Sequence, residues 1–121
     1  LDVGNCAPDH AAIRQVIEGH FAAKVEQAHE ADEALARLRA ESFDLVLVNR
    51  KLDVDDSDGL AIIQQIKADP QLCELPVMLI TNYAEHQQRA IASGAIPGFG
   101  KLALQSPATL DRLRTILDGM S

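Results

Sequence analysis

A chain of 121 residues is one domain's worth, and 47% apolar with 24% charged residues describes a globular chain with a core rather than a disordered one. Eleven basic against eighteen acidic residues leave a formal net charge of -7, which disfavours a nucleic-acid backbone or an anionic lipid surface as a direct partner. A protein partner is the class that remains. Cys6 and Cys73 have neither C-x-x-C spacing nor a nearby histidine pair, so neither a disulfide framework nor a zinc site is signalled, which fits a reducing compartment. No run reaches transmembrane length and no signal-peptide pattern is visible. The expectation is a single domain over 1–121, cytoplasmic, and compatible with excision from a longer chain because the initiator Met is missing.

Short β-rich runs alternate with helical stripes. Leu1-Asp2-Val3 reads as a short first strand, and Pro8-Asp9 opens a helix carrying Ile13, Val16 and Ile17. Residues 22–27 give a weakly marked second strand, and Ala31, Ala34, Leu35 and Leu38 stripe a second helix. Phe43-Asp44-Leu45-Val46-Leu47-Val48 is the nearly continuous apolar run that a strand covered on both faces requires. Ser57 or Asp58 caps a third helix with Leu60, Ile63 and Ile66; Pro76-Val77-Met78-Leu79-Ile80 is a fourth strand, and 84–93 a polar fourth helix ending at Gly94. A fifth strand near Gly98-Phe99-Gly100-Lys101 leads to Ser106-Pro107 and a last helix striped by Leu110, Leu113, Ile116 and Leu117. Five βα units in this length predict an α/β fold, a single doubly wound (βα)5 domain with an open parallel sheet and helices on both faces.

In such a sheet, functional groups collect at the carboxyl ends of the strands, near the point where strand order reverses. The candidates are Gly4, Asn5 and Cys6 after the first strand, Asn49 after the third, Thr81 and Asn82 after the fourth, and Lys101 at the end of the fifth. The segments "DLVLVN", an acidic loop ending "DG", "PVMLITNYAE" and "SGAIPGFGK", in that order, resemble the receiver domain of bacterial response regulators over essentially the whole chain.

The resemblance implies strand order 2-1-3-4-5 and a phosphotransfer site: an acidic pair after the first strand, a phospho-accepting Asp ending the third, a Thr or Ser after the fourth and a Lys after the fifth. The chemistry needs a carboxylate nucleophile, hard anionic oxygens for Mg²⁺, and a hydroxyl and an ammonium for the phosphoryl oxygens. Thr81 and Lys101 fit the last two positions and read as a relic phosphate site. Asn49 stands at the acceptor position, and Gly4-Asn5, or Asn5-Cys6, at the acidic pair. Every carboxylate of the set is missing, so acyl-phosphate formation and tight Mg²⁺ binding are expected to fail. The loop from Asn49 to Gly59 is about two residues longer than the family's, and Leu102 follows Lys101 where the family usually has Pro.

The expected function is therefore a pseudo-receiver, a degenerate receiver in two-component phosphorelay signalling that acts by protein contact, with no enzymatic turnover and no cofactor. By resemblance its partner, a histidine kinase, an output domain or another receiver, docks on the fourth helix, fifth strand and fifth helix, with a homodimer among the options. That face is expected to include Tyr83, Phe99 and Leu102-Ala103-Leu104, with Gly98 at the family's switch-aromatic position. Two rivals stay open: a working phospho-receiver using an aspartate of the 53–58 loop, and a flavodoxin-like small-ligand domain. Against the first, Asp53 lies on a loop expected to be mobile; against the second, there is no glycine-rich phosphate loop and no Trp.

Other residues carry plainer expectations. Asp53, Asp55 and Asp56 read as solvated loop charges, since the calcium-loop pattern fails at Asp58 and Gln64. Arg50 and Lys51 either place positive charge at the pocket or serve loop solubility, the second being favoured. His10, His20, His29 and His86 lack ligand spacing, and only His10 falls near the pocket. Asp2, costly to bury alone, is expected to pair with Lys101 or to lie nearer the strand end.

Overall fold

The computed structural model describes residues 1–117. Its elements alternate as β1 (Asp2–Val3), α1 (Ala7–His20), β2 (Gln27–Ala28), α2 (Ala31–Ala40), β3 (Val46–Asn49), α3 (Gly59–Ala68), β4 (Val77–Ile80), α4 (Ala84–Ala92), β5 (Ile96–Phe99) and α5 (Pro107–Leu117), with a 3₁₀ turn at Lys101–Ala103 before α5. All pairings are parallel and the order is β2-β1-β3-β4-β5, the expected 2-1-3-4-5. Strand order reverses between β1 and β3, which places the crevice at the carboxyl ends of those two strands.

The period-2 alternation of the strands sorts the core into two halves. Val3, Val46, Val48, Val77 and Leu79 face Ala34, Leu35, Ile62, Ile63 and Ile66 of α2 and α3. Leu45, Leu47, Met78, Ile80 and Phe99 face Ile13, Val16, Ile17 and Leu113 of α1 and α5. Two covered faces explain why β3 and β4 are apolar almost throughout.

Two strands differ from expectation. The second is only Gln27–Ala28, held on β1 by the Asp2 and Gly4 amides donating to Glu26 and Ala28 carbonyls. The fifth starts at Ile96 and ends at Phe99, and Lys101 belongs to the following turn. β5 carries a bulge: Met78 pairs with Ile96 but Ile80 with Phe99, so Leu79 opposes both Pro97 and Gly98. The extra residue turns Phe99 inward. It is 4% exposed in the α1–α5 half of the core, and Leu104 is also buried, so neither stands on the expected partner face. Asp58, rather than Ser57, caps α3 by accepting from the Leu60 amide.

Candidate functional site

At the crevice, β3 ends on Asn49 and the loop to α3 folds back over β1. Lys51 and Asp58 form an antiparallel bridge, the Leu52 amide donates to Ser57 O, the Asp56 amide to Leu52 O, and the Gly59 amide to Arg50 O. Asp56 takes a positive φ of 58° to close this turn. The expected mobile loop is thus a hydrogen-bonded one, and the Asp53 amide ties it to Gly4 O at 2.9 Å.

Leu52 is carried inward by that turn and is fully buried in the α2–α3 half of the core. It packs on Gly4, whose φ of 82° and contact with the Leu52 side chain leave no room for a Cβ. Gly4, one of the residues that the resemblance sets at the acidic pair, is thus covered by a leucine from another loop. Asn49 completes the closure, its Nδ2 donating to Lys51 O at 2.7 Å and Gly4 O at 3.5 Å. A carboxylate at position 49 would set an oxygen against both carbonyls, which accounts locally for an amide there.

Beneath this lid lies a buried polar cluster. Asp2 is completely buried; its Oδ1 accepts from Asn5 Nδ2 at 2.5 Å and its Oδ2 lies 2.7 Å from His10 Nδ1. Asp2 therefore meets the imidazole from the first turns of α1, so that of the two alternatives expected for it the pair with Lys101 does not form. Lys101 instead reaches Asp9 Oδ2 at 2.7 Å, and the same oxygen accepts from Cys6 Sγ at 3.2 Å. The Lys101 bond holds the Asp9 carboxyl below its usual range of 3.8. Thr81 engages the start of α4: its Oγ1 accepts from the Tyr83 amide and lies 3.3 Å from His86 Nδ1.

The structure therefore joins Gly4 to Asn49, but engages Thr81 and Lys101 with α4 and α1 respectively. The loop aspartates face outward: Asp55 bonds Ser57, which lowers its pKa, Asp58 caps α3, and Asp53 and Asp56 are exposed. Leu52 and Asp9 escaped the sequence reading, while Asp2 and His10 were singled out there but not as a pair. Leu52 had a signal, as a lone large apolar residue between Lys51 and Asp53.

Mg²⁺, which the resemblance implies, does not fit these residues. Gly4, Asn5 and Asn49 offer no anionic oxygen, the Asp2 carboxylate is used by Asn5 and His10, and Leu52 occupies the space. Asn5 Oδ1 is buried without a protein partner, but one amide oxygen is not the octahedral, carboxylate-bearing set that Mg²⁺ demands. Among the described residues no group of three or more His, Cys, Asp or Glu is arranged to hold a metal ion.

Residues 7–103 match the model of the response regulator receiver domain, and the chain belongs to that family. It is 30% identical over 112 residues to the transcriptional regulatory protein ZraR of Salmonella typhimurium, covering 90% of this chain and 23% of that protein. The receiver domain of NtrX from Brucella abortus superposes with a TM-score of 0.67 at 29% identity, covering 98% of this chain and 93% of that one. The receiver domain of the Francisella response regulator 1452 superposes at 0.79, but its 14% identity, over 99% and 96% of the chains, speaks to fold alone. The chain spans less than a quarter of the length of the curated relatives it matches. Receiver domains are signalling modules of two-component systems. No described helix is long and apolar enough to cross a membrane.

Proposed function

We propose that this receiver domain works without phosphorylation, as a cytoplasmic protein-interaction module of two-component signalling with no cofactor and no turnover. The observation that carries the reading is the closed acceptor end: Asn49 donates to two backbone carbonyls while Leu52 fills the space over Gly4. An amide is no nucleophile for a phosphoryl group, and an apolar plug cannot replace the water shell of a divalent cation. Mg²⁺ binding is correspondingly weak or absent. Tyr83 and Leu102, 63% and 90% exposed, and Ile91 of α4, 43% exposed, are large apolar side chains available to a partner at or beside α4 and β5. The Asn82 side chain accepts from the Leu102 amide at 3.2 Å and so links the two segments. That face suits a histidine kinase, an output domain or another receiver.

The rival in which a loop aspartate accepts phosphate has less support, because Asp55 and Asp58 are committed to local hydrogen bonds and Asp53 and Asp56 face solvent. Intact-protein mass spectrometry after incubation with acetyl phosphate and Mg²⁺ tests the reading. The expected result is an unmodified mass; a hydroxylamine-labile phosphate on the wild-type chain would overturn it.

A further inference from the structure

The bulge in β5 breaks the parallel ladder where a receiver's sheet meets α4 and α5, and the broken bonds are taken up by two side chains. Leu79 faces Pro97 and Gly98, and the Gly98 N–H is directed to Gln87 of α4 and not to Leu79 O. Gln87 supplies a donor in its place, its Nε2 reaching Leu79 O at 2.9 Å and Thr81 O at 3.3 Å. Its Oε1 accepts from the Gly98 amide at 3.0 Å. From the other side Arg112 of α5 donates Nη1 to Gly98 O at 2.6 Å. Gly98 is thus held through both of its backbone polar groups, and a Cβ there would run into Leu79 O and crowd Gln87 Oε1.

We propose that Gln87 and Arg112 form a clasp on Gly98 that holds α4, β5 and α5 in one arrangement, set independently of position 49. One amide side chain completes the bonding of two strands and a helix at once, so moving α4 away from β5 breaks bonds to Leu79, Thr81 and Gly98 together. No side chain at 98 can swing between states. The independence from position 49 rests on the reading of the acceptor end as inert; the clasp itself does not.

Amide hydrogen exchange followed by NMR on the full chain tests both parts. The expected result is slow exchange at Gly98 in the wild type, accelerated on the order of tenfold or more in Gln87→Met, with Val3 and Val48 unchanged. Equal Gly98 rates in wild type and Gln87→Met would overturn the clasp. Because Gln87→Met could loosen the whole fold, couplings across the hydrogen bonds are measured in the wild type, from Gly98 N to the Gln87 side-chain carbonyl and from Gln87 Nε2 to the Leu79 carbonyl. Their absence would also overturn it. Asn49→Asp in Mg²⁺ is expected to leave Gly98 exchange as in the wild type. A change there would overturn the independence, whereas failure of the inert reading appears separately as phosphate on the wild-type chain.

Discussion

The two ends of the β3–β4–β5 half of the sheet have been treated differently. Around Asn49 the loops close on themselves: backbone donors meet backbone acceptors, Leu52 fills the space over Gly4, and the buried Asp2 is satisfied by Asn5 and His10. Around β5 the reverse holds, with Tyr83 and Leu102 left to solvent and the backbone ordered by long side chains. On the function proposed above, packing stands where a receiver's chemistry would be, while the edge beside α4 and β5 is kept for contact.

Leu52→Ala challenges the closed end most strongly. Truncating a fully buried leucine is expected to cost about 2–5 kcal/mol in denaturant unfolding, and a cost near zero would mean that the loop does not plug the crevice. His10→Ala follows, leaving one oxygen of the buried Asp2 without its donor. A loss of about 1–3 kcal/mol is expected, and Asp2→Ala/His10→Ala should lose less than the two single changes summed. Asp58→Ala removes the α3 cap for about 1 kcal/mol, read in the same unfolding curves.

Lys101→Met should cost below about 1 kcal/mol, because its pair with Asp9 is partly solvated. The sign of its pH dependence is fixed. The folded Asp9 carboxyl lies below its unfolded value, so the pair's contribution is present above the unfolded pKa and fades as pH falls through the folded one. Wild type and Lys101→Met should therefore converge in acid, with melting curves across that range as the check. Smallest of all, Tyr83→Ala and Leu102→Ala should shift stability by no more than about 0.5 kcal/mol, since both side chains are exposed. A larger loss would show that this edge is structural and not a presented surface.

How far the sequence discloses all this depends on periodicity. β3, β4 and the helical stripes were legible because burial repeats at fixed spacing, and Asn49 and Thr81 fall at the ends of β3 and β4 as counted, whereas Lys101, counted into the fifth strand, lies in the turn after it. The Leu52 turn follows no period; its direction is set by the Lys51–Asp58 bridge and the positive φ of Asp56. Phe99 was placed on the partner face by resemblance, beside the switch-aromatic position at Gly98, and not by strand alternation; its side chain lies instead in the α1–α5 half of the core. Asp2 was recognised as costly to bury, but its partner depended on the direction in which the first turns of α1 point His10.

The Pro97-Gly98 bulge also governs what can be added to the sheet. β5 is an edge strand, the kind of border at which a foreign strand ordinarily pairs. Here Pro97 is exposed and carries no donor, while the amide and carbonyl of Gly98 are taken by Gln87 and Arg112. The border therefore offers an incoming strand a row of partners interrupted at Pro97 and Gly98, which makes it a poor template for extending the sheet into a larger assembly or an aggregate.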